Sequence, residues 1–411
     1  MRTPRLKNLF LLAFWTFMTG WLCMAGCARV TYGSDSYRPI ASFEGGKLYQ
    51  IDKIKVLELN GTYRQMGRQY GKLLAVELDR MYQEIIRQYI QYKVTPTEEH
   101  LQQFSANLFR LYPYRFQEIA MGISETSKMP MEKIAVLNEF FDELLAAASS
   151  PQTMDLHCSA MTAWGPYTGN APLVMGRNFD FPNFFRNFDP YITVVVYNPS
   201  DGGHSAAVLT WPGQIGSIQA FNDSGLVLEN NDGSSCGDKA RYFGERTPFL
   251  IQDLAVALDY SAMEGLDAAL KTSRLHYPLI YNVADTEKAY CYEMATYEVK
   301  RRQGENEGLV VGVNHFISPG WPTPPPEFQP AIEDSTLRHN NLLALAEKSK
   351  GKMDAVAMMK ILDTLKEDGG ATPKDTNIYQ FVAVPKELTI WVKALTYSDW
   401  VRIDLGAFFH N

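Results

Sequence analysis

The stretch HCSAMTAWGPYTGNAPLVMGRNFDF, residues 157–181, decides how the rest of the chain is read. Residues 158–165 and 172–180 are short apolar or alternating runs. Between them Tyr167-Thr168-Gly169-Asn170 is turn chemistry, so the pattern predicts a β-hairpin. Regular pairing across that turn sets Asp180 opposite Cys158 or Ser159, with Arg177 on the same returning strand. Residues three apart on a strand face opposite sides. Arg177 and Asp180 therefore both reach Cys158 only if the strand bulges or ends near Asn178.

A thiol with a pKa of about 8.5 is only a few per cent thiolate at neutral pH. A neighbouring guanidinium favours the thiolate. The base is less obvious. His157 points to the opposite face of a regular strand, and His315 and His339 lie far along the chain. If the His157–Cys158 bond is cut, the freed α-amino group, with a pKa of about 8, sits on the nucleophile's own Cα. Asp180 would then hold that group and Arg177 would stabilise the thiolate. The polar run Ser149-Ser150-Pro151-Gln152-Thr153 just upstream suits exposure and cleavage. Two other readings stay open: a papain-like thiol hydrolase using His315, and a catalytically silent ligand-binding envelope lipoprotein on the same scaffold.

Outward from the hairpin, residues 28–50 read as an irregular tether and 54–59 as a strand. Thr62 and Gln65 form a capping-box pattern opening a helix that runs to residue 92. Gly67 and Gly71 fall on one face of it, where another backbone is expected to pack close. Helices follow near 97–127 and 130–148. Beyond the hairpin, strands are expected at 191–197, 205–211, 215–221 and 225–230, then a helical stretch at 248–273. Strands return at 279–284, 289–295 and 308–313. A helical pair at 335–348 and 353–366 precedes strands near 378–383, 388–395 and 400–405. Five prolines between 319 and 326 exclude helix and make Ser318–Pro330 a stiff surface loop. Trp321 and Phe328 there suit an apolar acyl pocket, and equally a core or a loop clamp.

Several blocks resemble the N-terminal-nucleophile (Ntn) cysteine hydrolases. They are most similar to the acyl-coenzyme A:6-aminopenicillanic acid acyltransferase family, and more distantly to choloylglycine hydrolases, penicillin V acylases and acid ceramidase. The blocks are LNGTYRQMGRQYGKLL (59–74), GISETSKMPMEKIAVLNEF (122–140), HCSAMTAWG (157–165), GRNFDF (176–181), FNDSGLVLENN (221–231), VGVNHF (311–316) and STLRHNNLLAL (335–345). The resemblance implies an α+β fold, a four-layer αββα sandwich of antiparallel sheets. It also implies self-cleavage before Cys158 and a reaction on linear acyl-amides without cofactor or metal. Residues 28–157 would be a mainly helical upstream segment and 158–411 the catalytic body. Cys158 becomes the nucleophile, with Arg177 and Asp180 tuning it. Asn314 and Asn231 donate to the oxyanion, Asn231 being favoured over Asn230 by its spacing from Gly225, and Arg338 is a second arginine near the site. His157 departs from the small or aliphatic residue many relatives carry there.

The composition is compatible with this picture. Net charge is −7 over 411 residues, with no long basic stretch after residue 10, so nucleic acid is not an expected partner. Arg2, Arg5 and Lys7 precede an apolar run, Leu9 to Leu22, ending in Met24-Ala25-Gly26-Cys27. That is the layout of an export signal. Its end resembles a lipobox, which makes Cys27 the expected lipidation site and the membrane a partner only through that anchor. Three cysteines remain in the body, an odd number. Cys236 and Cys291 could pair and leave Cys158 free.

Overall fold

The computed structural model describes residues 37–147 and 157–410. The expected export signal and Cys27 lie outside them, as does the polar run 149–153 upstream of the expected cut.

The upstream part is less purely helical than its sequence suggests. Residues 37–50 are no tether: β1 (Ala41–Phe43) and β2 (Gly46–Ile51) form a hairpin on β3 (Ile54–Gly61). Thr62 then caps α1 (Tyr63–Leu73) with both bonds of the capping box in place. The helix expected to continue to 92 breaks at buried Leu74, whose φ and ψ of −118° and 22° leave the helical region, and restarts as α2 (Ala75–Gln91). The expected 97–127 helix is likewise two, α3 (Glu98–Phe109) and α4 (Tyr114–Ser127), because Pro113 resets the chain. α5 (Met131–Ala147) follows. The glycine expectation holds. A Cβ on Gly67 would strike the Ile119 carbonyl oxygen, one on Gly71 that of Ile123, and one on Gly122 that of Arg64. Helices α1 and α4 therefore touch backbone to backbone.

The rest of the chain runs β4 (Ser159–Ala163), β5 (Val174–Asp180), β6 (Thr193–Pro199), β7 (Ala206–Thr210), β8 (Gln219–Asn222) and β9 (Val227–Asp232). The helical stretch 248–273 splits into α6 (Phe249–Asp259) and α7 (Met263–Thr272). Then come β10 (Leu279–Ala284), β11 (Ala289–Met294), β12 (Val299–Arg302), unmarked in the sequence, and β13 (Leu309–Gly312). Helix α8 (Gln329–Lys348) starts earlier than expected, with Pro330 in its first turn, where no amide partner is needed. α9 (Ala355–Asp363), β14 (Asn377–Val384), β15 (Thr389–Ala394) and β16 (Val401–Asp404) complete the chain.

Two sheets form among the described residues. One has ten strands in the order β1-β2-β3-β6-β7-β8-β9-β10-β11-β12, and the other has six, β13-β4-β5-β14-β15-β16. All pairings are antiparallel except β3 with β6. The upstream segment thus supplies three strands to the large sheet.

The layers follow from alternation. On β5, Met175 and Phe179 face the core shared with the large sheet, together with Tyr379 and Phe381 of β14. Met161, Val174, Val382 and Val384 face the other way, onto Met358, Ile361 and Leu362 of α9 and Leu342 of α8. The large sheet carries α6 on its far side, where Tyr281 and Asn230 meet Asp253. Helix, sheet, sheet, helix is the expected four-layer α+β sandwich. Among the described residues no helix is long and apolar enough to cross a membrane.

Candidate active site

The hairpin of residues 157–181 forms, with β4 paired to β5. Its register is one residue off the expectation. Ser159 faces Asn178, and the His157 amide donates to the Asp180 carbonyl at 3.3 Å, so Asp180 lies opposite His157. Nor does β5 bulge near Asn178. The irregularity sits in the partner strand β14, between Asn377 and Tyr379.

Cys158 is 3% exposed, and its thiol reaches the Asp180 carbonyl oxygen at 3.9 Å. Burial pushes the thiol up to about 11, against the pull of the Arg177 guanidinium and with the Asp180 charge adding to the rise. In the continuous chain it is therefore protonated at neutral pH.

Asp180 is fully buried. Burial raises its carboxyl to about 7, although the Asn377 amide donates to Oδ1 at 2.6 Å and Arg338, His157 and Arg177 pull it down. Its Oδ2 has no hydrogen-bond partner. A buried carboxylate oxygen without a donor is rare and costly.

Arg177 crosses from the small sheet to the large one. Its Nη1 lies 3.2 Å from Glu229 Oε2, with neither side chain exposed, and its Nη2 donates to Asn231 Oδ1 at 3.4 Å. Alternation along β9 sends Glu229 and Asn231 inward and Asn230 outward to Asp253, so the choice of Asn231 over Asn230 matches the placement. Burial pushes Glu229 up to about 7, against Arg177 and the Asn282 amide.

Arg338 does the equivalent from α8. Its Nη2 donates to Asn314 Oδ1 at 3.0 Å, and its Nη1 to the carbonyls of His157 at 2.8 Å and Cys158 at 2.9 Å. Each arginine thus reads the oxygen of one asparagine. Because a guanidinium only donates, this fixes which end of each amide faces away. Asn231 Nδ2 donates to the Gly312 carbonyl at 3.2 Å and Asn314 Nδ2 to that of Asp232 at 2.9 Å, each using one of its two hydrogens. The six nominated residues, Cys158, Arg177, Asp180, Asn231, Asn314 and Arg338, converge on one site, where Asp180 meets the thiol through its backbone carbonyl and its carboxylate is held by Asn377.

The other readings divide. His315 turns its Nδ1 to Ser335 Oγ at 2.7 Å, and burial with the His339, Arg338 and Arg302 charges lowers it to about 4. Cys236 and Cys291 are free and buried, and Cys291 Sγ accepts from Arg302 Nη2 at 3.2 Å. Trp321 and Phe328 are clamps. Trp321 packs at a tilt against Phe316 and donates to Glu293, which also takes the amides of Ile317 and Ser318, and Phe328 is buried beneath Lys239.

Three contributors were missed. Glu229 was signalled by a lone acid in an apolar strand run, and Asp334 by its position four before Arg338, an i, i+4 pair whose Arg338 Nε bond is 2.8 Å. Asn377 had no signal; it arrives from 197 residues downstream.

No family model matches the chain. It is 26% identical to protein dcd1A of Dictyostelium discoideum, over 89% of each. It is 22% identical to an uncharacterized protein of Archaeoglobus fulgidus, over 75% of this chain and 58% of that protein. Among solved structures it is similar to a Caenorhabditis elegans N-acylethanolamine-hydrolyzing acid amidase ortholog (13% identity, 60% of this chain and 100% of that one, TM-score 0.43). It is also similar to a conjugated bile acid hydrolase mutant from Clostridium perfringens (12%, 60% and 92%, TM-score 0.40) and to penicillin V acylase from Agrobacterium tumefaciens (10%, 60% and 86%, TM-score 0.40).

Proposed function

We propose that the chain cuts itself between His157 and Cys158, and that the new N-terminal cysteine then cleaves linear acyl-amides through a thioester. The observation that carries this reading is the His157 carbonyl, the acyl side of that bond, held 2.8 Å from the Arg338 guanidinium. In the cut, Cys158 Sγ adds to the His157 carbonyl carbon. The thiol proton passes to Asp180, whose carboxyl near 7 makes it a base at neutral pH. Arg338 steadies the oxyanion. The C–N bond breaks, the nitrogen takes up a proton to become the α-amine, and water hydrolyses the thioester, leaving a carboxylate on His157.

The same parts then serve turnover. The α-amino group takes the Sγ proton, and its ammonium form finds Asp180 Oδ2, the buried oxygen without a donor. Arg177 favours the thiolate. Asn231 and Asn314 donate to the tetrahedral oxyanion, each such donor lowering the barrier by roughly 3–4 kcal/mol. The amine leaves with the proton, and water or an acceptor amine resolves the thioester. Residues 28–157 would become the upstream chain and 158–411 the catalytic one. Export with a lipid on Cys27 completes the reading.

The test uses purified wild-type, Cys158→Ala and His315→Ala proteins on a panel of acyl-amides. Wild type and His315→Ala are expected to release acid, and Cys158→Ala to release none and stay uncut. Loss of activity in His315→Ala with an uncut, active wild type would favour a thiol–imidazole pair instead.

A further inference from the structure

We propose that the cleft housing the His157 side chain is the acyl subsite of the mature protein, and that it takes an aminoacyl or peptidyl group whose cationic or N–H-donating side chain rests on Asp334. The inference rests on the self-cleavage reading and adds the substrate class to it.

The chemistry links the two steps. The thioester formed in self-cleavage joins the His157 acyl group to Cys158 Sγ. The thioester formed in turnover joins the substrate acyl group to the same sulfur. Both acyl carbons are bonded to that one sulfur when water takes them, so the room that His157 occupies marks the room the substrate acyl group takes.

That room has a definite character. His157 borders an open cleft of about 480 Å³ between α8 and the 365–376 loop. Apolar contact comes from Leu337, Leu365 and Pro373, while Lys366, Glu367, Lys374 and Asp375 bring charge to its wall. A long alkyl chain would desolvate those charges without pairing them. The His157 ring is held instead by a carboxylate, with Nδ1 3.2 Å from Asp334 Oδ2.

Asp334 is itself built in. Arg338 Nε reaches the same Oδ2 at 2.8 Å and Lys366 Nζ reaches Oδ1 at 2.7 Å. Burial works to raise Asp334, but the bonds from His157, Arg338 and Lys366 outweigh it and hold the group well below the usual carboxylate range. It stays charged at every working pH. When His157 leaves, one donor position on Oδ2 opens, beside the arginine that grips the acyl carbonyl. A side chain presenting a cation or N–H there restores the pair, and an aliphatic one leaves it unmade.

The experiment compares the 7-amino-4-methylcoumarin amides of histidine, lysine, leucine and lauric acid, which share one leaving amine, on wild-type protein of established N-terminus. The histidine and lysine amides are expected to show kcat/KM about tenfold or more above the other two. In Asp334→Asn the histidine-to-leucine ratio is expected to fall toward one. If that variant does not mature, the wild-type ranking decides. A matured chain that prefers the lauric amide, ranks the four alike or releases none overturns this inference and leaves self-cleavage standing. An uncut wild-type chain overturns both.

Discussion

Replacing Glu229 by glutamine tests the electrostatics of the site without removing volume. Glu229 is fully buried, and its carboxyl is raised from 4.5 to about 7. A carboxyl raised on folding holds a proton that the unfolded chain has already lost. Stability therefore falls as pH rises from about 4.5 to 7 and is level beyond. Each unit is worth about 1.36 kcal/mol, so this one side chain removes about 3 kcal/mol between pH 4 and 8. For a chain of this size that is roughly 3–4 °C in Tm. The parent for the measurement is Cys158→Ala, which keeps the chain uncut. Urea unfolding at pH 4, 5, 6, 7 and 8 is expected to show the parent losing about 3 kcal/mol more than its Glu229→Gln derivative. Every other titrating group, His315 with its opposite slope included, is common to both and cancels. Equal slopes in the two proteins would refute the buried Arg177–Glu229 electrostatics described above.

Arg338→Met removes the donor on the His157 carbonyl, and self-cleavage, followed by gel, is expected to slow by two to three orders of magnitude, as for loss of one oxyanion donor. Gly122→Ala drives a methyl into the Arg64 carbonyl, and an unfolding free energy lowered by about 1–3 kcal/mol is expected. Thiol titration of denatured, unreduced protein is expected to find Cys158, Cys236 and Cys291 all free.

The elements that patterned strongly were legible. The hairpin of residues 157–181, the capping box at Thr62 and the glycine face of α1 all follow from local chemistry, and all are present. What failed did so for physical reasons. Leu74 and Pro113 interrupt helices whose apolar period continues past them, and periodicity does not register a break in phase. The β1–β2 hairpin is largely exposed at its edge and lacks the apolar alternation that marks a strand. The grouping of the candidate residues was legible where they stood close in sequence to Cys158 or lay in one of the quoted blocks. Its supporting shell was not. Glu229 works only because β9 faces β5 across the sandwich, and Asn377 only because β14 lies beside β5. Neither juxtaposition is written in local spacing. The register was misjudged by one residue because a turn between residues 165 and 173 fixes pairing only to within its own length.

The central claim is that the peptide bond before Cys158 opens to free the amine that activates the thiol. Intact-mass analysis with N-terminal sequencing, on active wild-type protein beside Cys158→Ala, addresses it directly. The account predicts a wild-type fragment beginning at Cys158 and an unbroken Cys158→Ala chain. Active wild-type protein in which His157 and Cys158 remain joined would contradict it.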